Sequence, residues 1–329
     1  MEIRGSSIDE IIRASITALL SEGKVNSPSK GQNLELTGVL LDLENPLNRI
    51  SRTETKNTLF SCLGELSWYL SGSDIASHMT YYLPEYTKFA EDDGTVRGAY
   101  GPRLLGTYNS INQLENVISL LCRKTTTRQA VIQIFDKADL IGEKKDIPCT
   151  QALQFLLRDN YLELIVTMRS NDVFRGLTHD IFCFTMLQEF VANELSERMD
   201  VDIKLGGYKH FVGSFHLYDK DKALAHEYLQ EGFPSVNSIM QSMPSCSYKD
   251  IEEIIKAERN IRDGVLTNFD NCELSSYWVD LGKALRAFHL FKEKTESALE
   301  EIDSLMRDLE NQALKPILQK LLARCQVKS

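Results

Sequence analysis

Apolar positions along this chain recur with two periods, and the alternation between them sets the order of elements. From Ile8 to Leu20 they fall at helical spacing, interrupted by Asp9, Glu10 and Arg13, which predicts an amphipathic helix and not a secretory leader. After the polar stretch Ser27 to Asn33, the run Leu34 to Leu43 reads as a strand containing Thr37-Gly38, and Thr55 to Leu70 as a helix with a mostly buried face. Asp92 to Arg103 is rich in turn formers, as expected of a functional loop, and it contains Tyr100-Gly101-Pro102-Arg103. Ala130 to Phe135 predicts a buried strand. Ala152 to Leu157 and Leu162 to Met168 flank Asp159-Asn160, a two-residue hairpin turn, so the sheet is at least partly antiparallel. Ile181 to Leu195, with Phe182, Met186, Phe190 and Val191, is continuous enough for a central buried helix, and Gly206-Gly207 leads into a strand-like run ending near Tyr218. From about Tyr248 the pattern turns helical and charged, with segments Ile251 to Ile261, Val279 to Phe291 and Ser297 to Cys325. We therefore expect a main domain over residues 1–247 and a helical C-terminal appendage, residues 248–329, packed on it.

Composition narrows the function. A length of 329 residues with 43% hydrophobic content is enough for a sizeable core. The net charge of -10 argues against broad binding to nucleic acid or anionic membranes, which needs clustered Lys and Arg, while leaving room for a small anionic ligand. No segment approaches the roughly 18 apolar residues of a membrane span. Seven cysteines, an odd number without a CxxC pair or metal-ligand spacing, point to a reducing cytoplasm, mostly buried thiols and one candidate nucleophile. GxGxxG and GxxxxGK[ST] motifs are absent, which removes the main support for nicotinamide or ATP chemistry.

Four short stretches carry candidate chemistry. Cys149, in Asp146-Ile147-Pro148-Cys149-Thr150, is held by a proline just before a strand, where it reads either as a structural thiol or as a nucleophile if positive charge is near. Arg169-Ser170-Asn171-Asp172 closes the second hairpin strand; its fork and hydroxyl suit a phosphate, although such a string also suits a solvated turn. Asp180, in Gly176-Leu177-Thr178-His179-Asp180-Ile181, reads in isolation as a helix N-cap. His216 and Tyr218 share one face of an extended segment and either hold sugar hydroxyls or finish a strand.

Taken together and in this order, these residues resemble the thymidylate synthases and the related pyrimidine-nucleotide hydroxymethylases. The resemblance runs from about Thr37 to Tyr218: Glu65-Leu66-Ser67-Trp68-Tyr69-Leu70-Ser71-Gly72 is similar to the family's ELLWFLxG helix, Tyr100-Gly101 to its YG loop and Arg128-Gln129 to its paired-arginine strand. Pro148-Cys149 matches the nucleophile motif, Arg169 to Gly176 the RSxDxxLG stretch, and His216-Leu217-Tyr218 the HxY pair. The resemblance implies an α+β fold with a large mixed or antiparallel sheet, a central buried helix and flanking helices. It implies that Cys149 adds to C6 of a pyrimidine nucleoside monophosphate, that Glu65 orders water and relays protons, and that Tyr100 assists deprotonation at C5. Arg169, Ser170 and Arg128 of a second subunit would hold phosphate, His216 and Tyr218 the sugar, and Asp172 with Gly176 the co-substrate, 5,10-methylenetetrahydrofolate. A homodimer sharing Arg128 across its interface follows from the same comparison.

The departures from the family pattern are informative. Asp180 stands where synthases carry the Asn that reads uracil, and a carboxyl group accepts from the cytosine amino group and, when protonated, donates to N3. That favours folate-dependent C5-hydroxymethylation of CMP or dCMP, as in the cytidylate hydroxymethylases; a divergent thymidylate synthase acting on dUMP is the alternative, and a non-catalytic nucleotide-binding protein a third reading. Leu36 replaces a phosphate-binding Arg, Gln129 the second paired Arg and Thr150 the His after the nucleophile, so phosphate binding is expected to be rearranged, with Arg103 or Arg175 as substitutes. Pro102-Arg103, the Leu177-Thr178-His179-Asp180 segment and the helical C-terminus also depart from the pattern that closes the site over folate.

Overall fold

The computed structural model describes residues 1–51, 53, 58–232, 239–265 and 274–326. Its strands are β1 (Glu2–Gly5), β2 (Lys24–Asn26), β3 (Asn33–Leu43), β4 (Val131–Gln133), β5 (Thr150–Arg158), β6 (Tyr161–Asp172) and β7 (Lys204–Tyr218). The helices are α1 (Ile8–Glu22), α2 (Leu59–Leu70), α3 (Ala76–Tyr82), α4 (Gly101–Leu105), α5 (Gln113–Arg123), α6 (Leu177–Met199), α7 (Lys222–Gln230), α8 (Tyr248–Arg262), α9 (Ser276–Glu293), α10 (Glu296–Arg307) and α11 (Lys315–Gln326). The strands form one mixed sheet in the order β1-β3-β7-β6-β5-β4, with β2 paired to β3.

The β5–β6 hairpin turns at Asp159 and Asn160, both with positive φ (48° and 61°), the conformation a two-residue turn requires and these two residue types tolerate. Strands β6 and β7 are parallel, with Asp172 opposite His216. Parallel neighbours need a crossover, and α6 supplies it: its residues are buried on nearly every side, as their continuous apolar character predicts. The carboxyl ends of β6 and β7 and the amino end of α6 consequently converge. Glu189 on α6 binds the buried Arg49 at 2.5 Å, fixing the segment between β3 and α2 to the central helix. Helices α8 and α9 pack against α2, and the Tyr82 hydroxyl donates to Glu258 on α8 at 2.7 Å.

Several expectations need correction. The strand expected over Ala130 to Phe135 is only three residues long and lies at the sheet edge, with Val131 and Gln133 exposed, because it has a neighbour on one side alone. The segment Ser297 to Cys325 is two helices. Pro316 forces the break, since proline is tolerated only in a first turn, and the intervening Asn311 N–H donates to the buried Asp280 carboxylate at 2.6 Å. The glycine-rich stretch before Arg103 runs into α4, with Pro102 in its first turn and Gly106 (φ 80°) closing it. Asp180 is not an N-cap: Gly176 holds that position. The expected helix start at Thr55, together with Cys272, lies outside the described residues.

Candidate functional site

Cys149 sits one residue ahead of β5, and its carbonyl accepts the Arg169 N–H at 2.8 Å, which sets the thiol beside the end of β6. The Arg169 side chain turns back along the same loop, donating from Nε to the Pro148 carbonyl and from Nη2 to the Ile147 carbonyl, both at 2.9 Å. Its guanidinium thus braces the segment that carries the thiol. Burial pushes the Cys149 thiol up; the charges of Arg169 and Lys30 oppose that, while Asp180 and Asp146 reinforce it.

Tyr100, just before α4, meets the residue after the cysteine. Its hydroxyl accepts from the Thr150 N–H at 3.2 Å and lies 3.1 Å from the Thr150 hydroxyl, and its ring stacks on Phe184 of α6. Burial raises the Tyr100 hydroxyl well above its ordinary range, helped by the charges of Asp180 and Cys149. Glu65 faces inward from the middle of α2, accepts the Tyr69 hydroxyl one turn on at 2.7 Å, and is pushed by burial from 4.5 to about 7. The Asp180 carboxyl is 8% exposed and is raised well above the carboxylate range, first by burial and then by the charge of Glu65, with Asn171 opposing. Burial thus favours its protonated form.

A buried polar network lies beneath Asp180. The Asn171 amide donates to His210 Nε2 at 3.0 Å, and His210 Nδ1 is 2.7 Å from the Tyr208 hydroxyl. Burial pushes His210 down to about 3, so the ring is neutral; with Nε2 accepting, Nδ1 holds the hydrogen and donates to Tyr208. Gly176 makes this approach possible: a Cβ there would stand 2.9 Å from Asn171 Oδ1 and 3.5 Å from Asp180 Oδ2.

At the strand ends, Asp172 Oδ1 accepts the N–H groups of Phe174 and Arg175 at 2.8 and 3.0 Å, closing the turn into α6, while Oδ2 makes no hydrogen bond among the described residues. Burial raises this carboxyl and His216 opposes it. Asp172 Oδ2 is therefore a polar oxygen without a hydrogen-bond partner among the described residues. His216 and Tyr218 lie edge to face at 4.9 Å, with the Tyr218 hydroxyl in the field of Asp172 and Cys149. Ser170 is half-buried opposite Ser214 of β7.

The structure thus gathers Cys149, Glu65, Tyr100, Arg169, Ser170, Asp172, Gly176, Asp180, His216 and Tyr218 around the convergence of β5, β6, β7 and α6. Arg128 is not among them. It precedes edge strand β4 with its side chain exposed, and its guanidinium makes no hydrogen bond or ion pair among the described residues. The two substitute arginines are already engaged: Arg103 forks onto Asp139 with two 2.7 Å bonds, and Arg175 binds Asp221 through Nε and Nη2. Both guanidinium groups are thus already paired with a buried carboxylate. Sequence reasoning also missed contributors to the site. Asn171 was visible inside the RSxD stretch, and Asp146 inside the segment leading to the cysteine. Tyr86, whose burial-raised hydroxyl feels Glu65, Asp146, Tyr100 and Asp180, had no motif around it. Among the described residues no group of His, Cys, Asp and Glu could hold a metal, the five described cysteines are free, and no helix is long and apolar enough to cross a membrane.

The family model described as thymidylate synthase matches residues 28–263. Over 230 residues the chain is 27% identical to a deoxyuridylate hydroxymethyltransferase of Bacillus phage SP01, covering 66% of this chain and 58% of that protein. A protein of the same description from Delftia phage PhiW-14 is 28% identical over 228 residues, 64% of this chain and 61% of that one. A thymidylate synthase of Buchnera aphidicola is 26% identical over 178 residues, 53% and 65% of the two chains. The chain spans about three fifths of the length of the phage relatives. With the family model extending over most of its length, and its mixed sheet and buried central helix bringing the expected residues together, the chain belongs to the thymidylate synthase family.

Proposed function

We propose that this protein is a pyrimidine-nucleotide C5 one-carbon transferase, and that its reaction is hydroxymethylation of CMP or dCMP. The observation that carries the base assignment is Asp180, a buried carboxyl beside Cys149, Tyr100 and Glu65 whose protonated form burial favours. Such a group donates through one oxygen and accepts through the other. It fits cytosine when the donor meets N3 and the acceptor meets the amino group.

In this reading Cys149 adds to C6, which makes C5 nucleophilic. Its raised thiol means that little thiolate is present before substrate arrives, so Arg169 matters both as a brace and as a counter-charge. Tyr100 assists removal of the C5 proton, and Glu65, near 7, exchanges protons with bound water at physiological pH. Methylenetetrahydrofolate, when bound, supplies the one-carbon unit, with Asp172 holding its pterin and Gly176 leaving space. His216 and Tyr218 hold the sugar; Arg169, Ser170 and an Arg128 contributed by a second copy hold the phosphate. The second copy is supported by the open face of the sheet, where Leu40 and Phe211 are cross-strand partners and Val131 is exposed. Residues 1–247 form the catalytic unit, with α8 and α9 of the C-terminal region bracing α2.

The phage relatives favour a second reading, hydroxymethylation of a uracil nucleotide. A neutral carboxyl rotated about its Cβ–Cγ bond donates to O4 and accepts from N3–H, as an amide does. Release of C5 tritium from CMP, dCMP and dUMP with methylenetetrahydrofolate, followed by product mass and dihydrofolate absorbance, separates these readings. Release from a cytosine nucleotide with a hydroxymethyl mass and no dihydrofolate supports the proposal, and Asp180→Asn then shifts preference toward uracil. Release from dUMP alone overturns the base assignment, and release from none of the three overturns the enzymatic reading.

A further inference from the structure

Building on the proposed nucleotide site, several of the described cations around it are already engaged. A nucleoside monophosphate brings a phosphate dianion, and such groups are held by several charged donors. Leu36, two residues before Gly38, is an apolar position on β3 opposite Phe215. Arg103 and Arg175 are committed to Asp139 and Asp221. Arg169 spends two of its donors on the loop ahead of Cys149.

Among the described residues a further cation stands near this site, and its placement is specific. The segment between β2 and β3 makes a tight turn closed by the Gly31 N–H donating to the Pro28 carbonyl at 3.0 Å, with Gly31 at φ 118°, and Lys30 is the residue before that glycine. The far end of the loop is tied to the sugar-side strand: the Asp219 N–H donates to the Gln32 carbonyl at 3.0 Å, and Asn33 pairs with Tyr218. The Lys30 ammonium stands 5.0 Å from the Phe89 ring centre, Phe89 packs on Tyr86, and the Tyr86 ring packs on Trp68 of α2. Lys30 makes no ion pair among the described residues. Together with Arg169 it is one of two cations that lower the Cys149 thiol, and it acts on Asp146 as well.

We propose that Lys30 is a phosphate-binding residue of this site, gripping the 5′-phosphate together with Arg169 from the turn at Pro28–Gly31. An ammonium on a short turn supplies a point charge where an arginine fork is missing, and the loop's anchorage to β7 keeps it next to the sugar. Lys88, also 4.9 Å from the Phe89 ring, is paired with Glu85 and serves as a control.

The test uses the full chain and its Lys30→Gln, Lys30→Arg and Lys88→Gln variants, with equilibrium binding of CMP, dCMP and dUMP and of the matching nucleosides. Lys30→Gln should weaken the nucleotide that binds the parent protein by about 10- to 100-fold, the loss of one charge-assisted hydrogen bond, and leave its nucleoside within about twofold. Lys30→Arg should recover most of the loss, and Lys88→Gln should match the parent. Equal weakening of nucleotide and nucleoside, or no weakening of either, overturns the proposal. A second readout does not depend on the base: inorganic phosphate should slow iodoacetamide alkylation of Cys149 in the parent and much less in Lys30→Gln. If phosphate protects in this way but no pyrimidine nucleotide is turned over, the anion site stands and the proposed function falls. If turnover proceeds unaffected in Lys30→Gln and phosphate gives no differential protection, the role of Lys30 falls alone.

Discussion

Replacing Glu65 by Gln separates the energetic cost of this residue from its chemistry. Burial moves its carboxyl from 4.5 to about 7, so the folded state binds a proton that the unfolded chain releases. A raised carboxyl contributes fully below the unfolded value of 4.5, and the contribution is lost as pH rises through 7. A shift of about 2.5 units corresponds to ~3 kcal/mol at 1.36 kcal/mol per unit. Gln keeps the size and the acceptor for the Tyr69 hydroxyl but cannot ionise. The stability of Glu65→Gln relative to the parent, from urea unfolding, should therefore rise by ~3 kcal/mol between pH 4.5 and pH 9, most of it around pH 5–7, while turnover falls sharply at every pH. A stability difference that stays flat with pH would refute the claim that this carboxyl is buried and protonated near neutrality. An unchanged turnover would refute its role in proton relay.

Cys149→Ser should abolish tritium release and leave nucleotide affinity within a few-fold, as measured by equilibrium binding; residual turnover above about a thousandth of the parent would argue against covalent catalysis. Gly176→Ala forces a methyl group to 2.9 Å from the Asn171 carbonyl oxygen, so kcat/KM should drop by about tenfold or more with a loss of ~1–3 kcal/mol in unfolding free energy, and parent-like values of both would show that the close approach is unimportant. Sedimentation should give a homodimer. A fully active monomer would remove the shared role proposed for Arg128.

Much of this was legible because local chemistry and tertiary need agreed. Asp159-Asn160 is a hairpin turn whatever surrounds it, and the apolar continuity of Ile181 to Leu195 is incompatible with a surface position. The candidate residues stood out because each lies in a short string with a local pattern of its own: proline before the thiol, an arginine fork at a strand end, an i, i+2 pair on one strand face. Edge status was not legible. Ala130 to Phe135 has the composition of a core strand, and only its single neighbour in the sheet reveals otherwise. The network below Asp180 was hidden for a different reason: Asn171 and His210 are 39 residues apart, and an inward-facing histidine in a strand has no signature until its partner is known. The same holds for Arg103 and Arg175, whose carboxylate partners lie 36 and 46 residues away.

The parallel pairing of β6 and β7 through α6 places Arg169, Ser170, Asp172, Gly176, Asp180, His216 and Tyr218 within one contiguous stretch of about fifty residues. Cys149, Glu65 and Tyr100, the thiol and proton-handling groups of the proposed reaction, are delivered by elements outside that stretch. On the proposed reading, the groups assigned to base, sugar and co-substrate thus lie together on one portion of the chain, apart from the bond-making groups and from Lys30 and Arg128. Such a division lets the recognition portion drift toward a new base or sugar while the reacting portion stays fixed. It also suggests an engineering route: exchanging residues 169–218 between relatives as a single cassette should transfer substrate preference as a unit, whereas exchanging any half of it would separate a strand from the helix that spaces it.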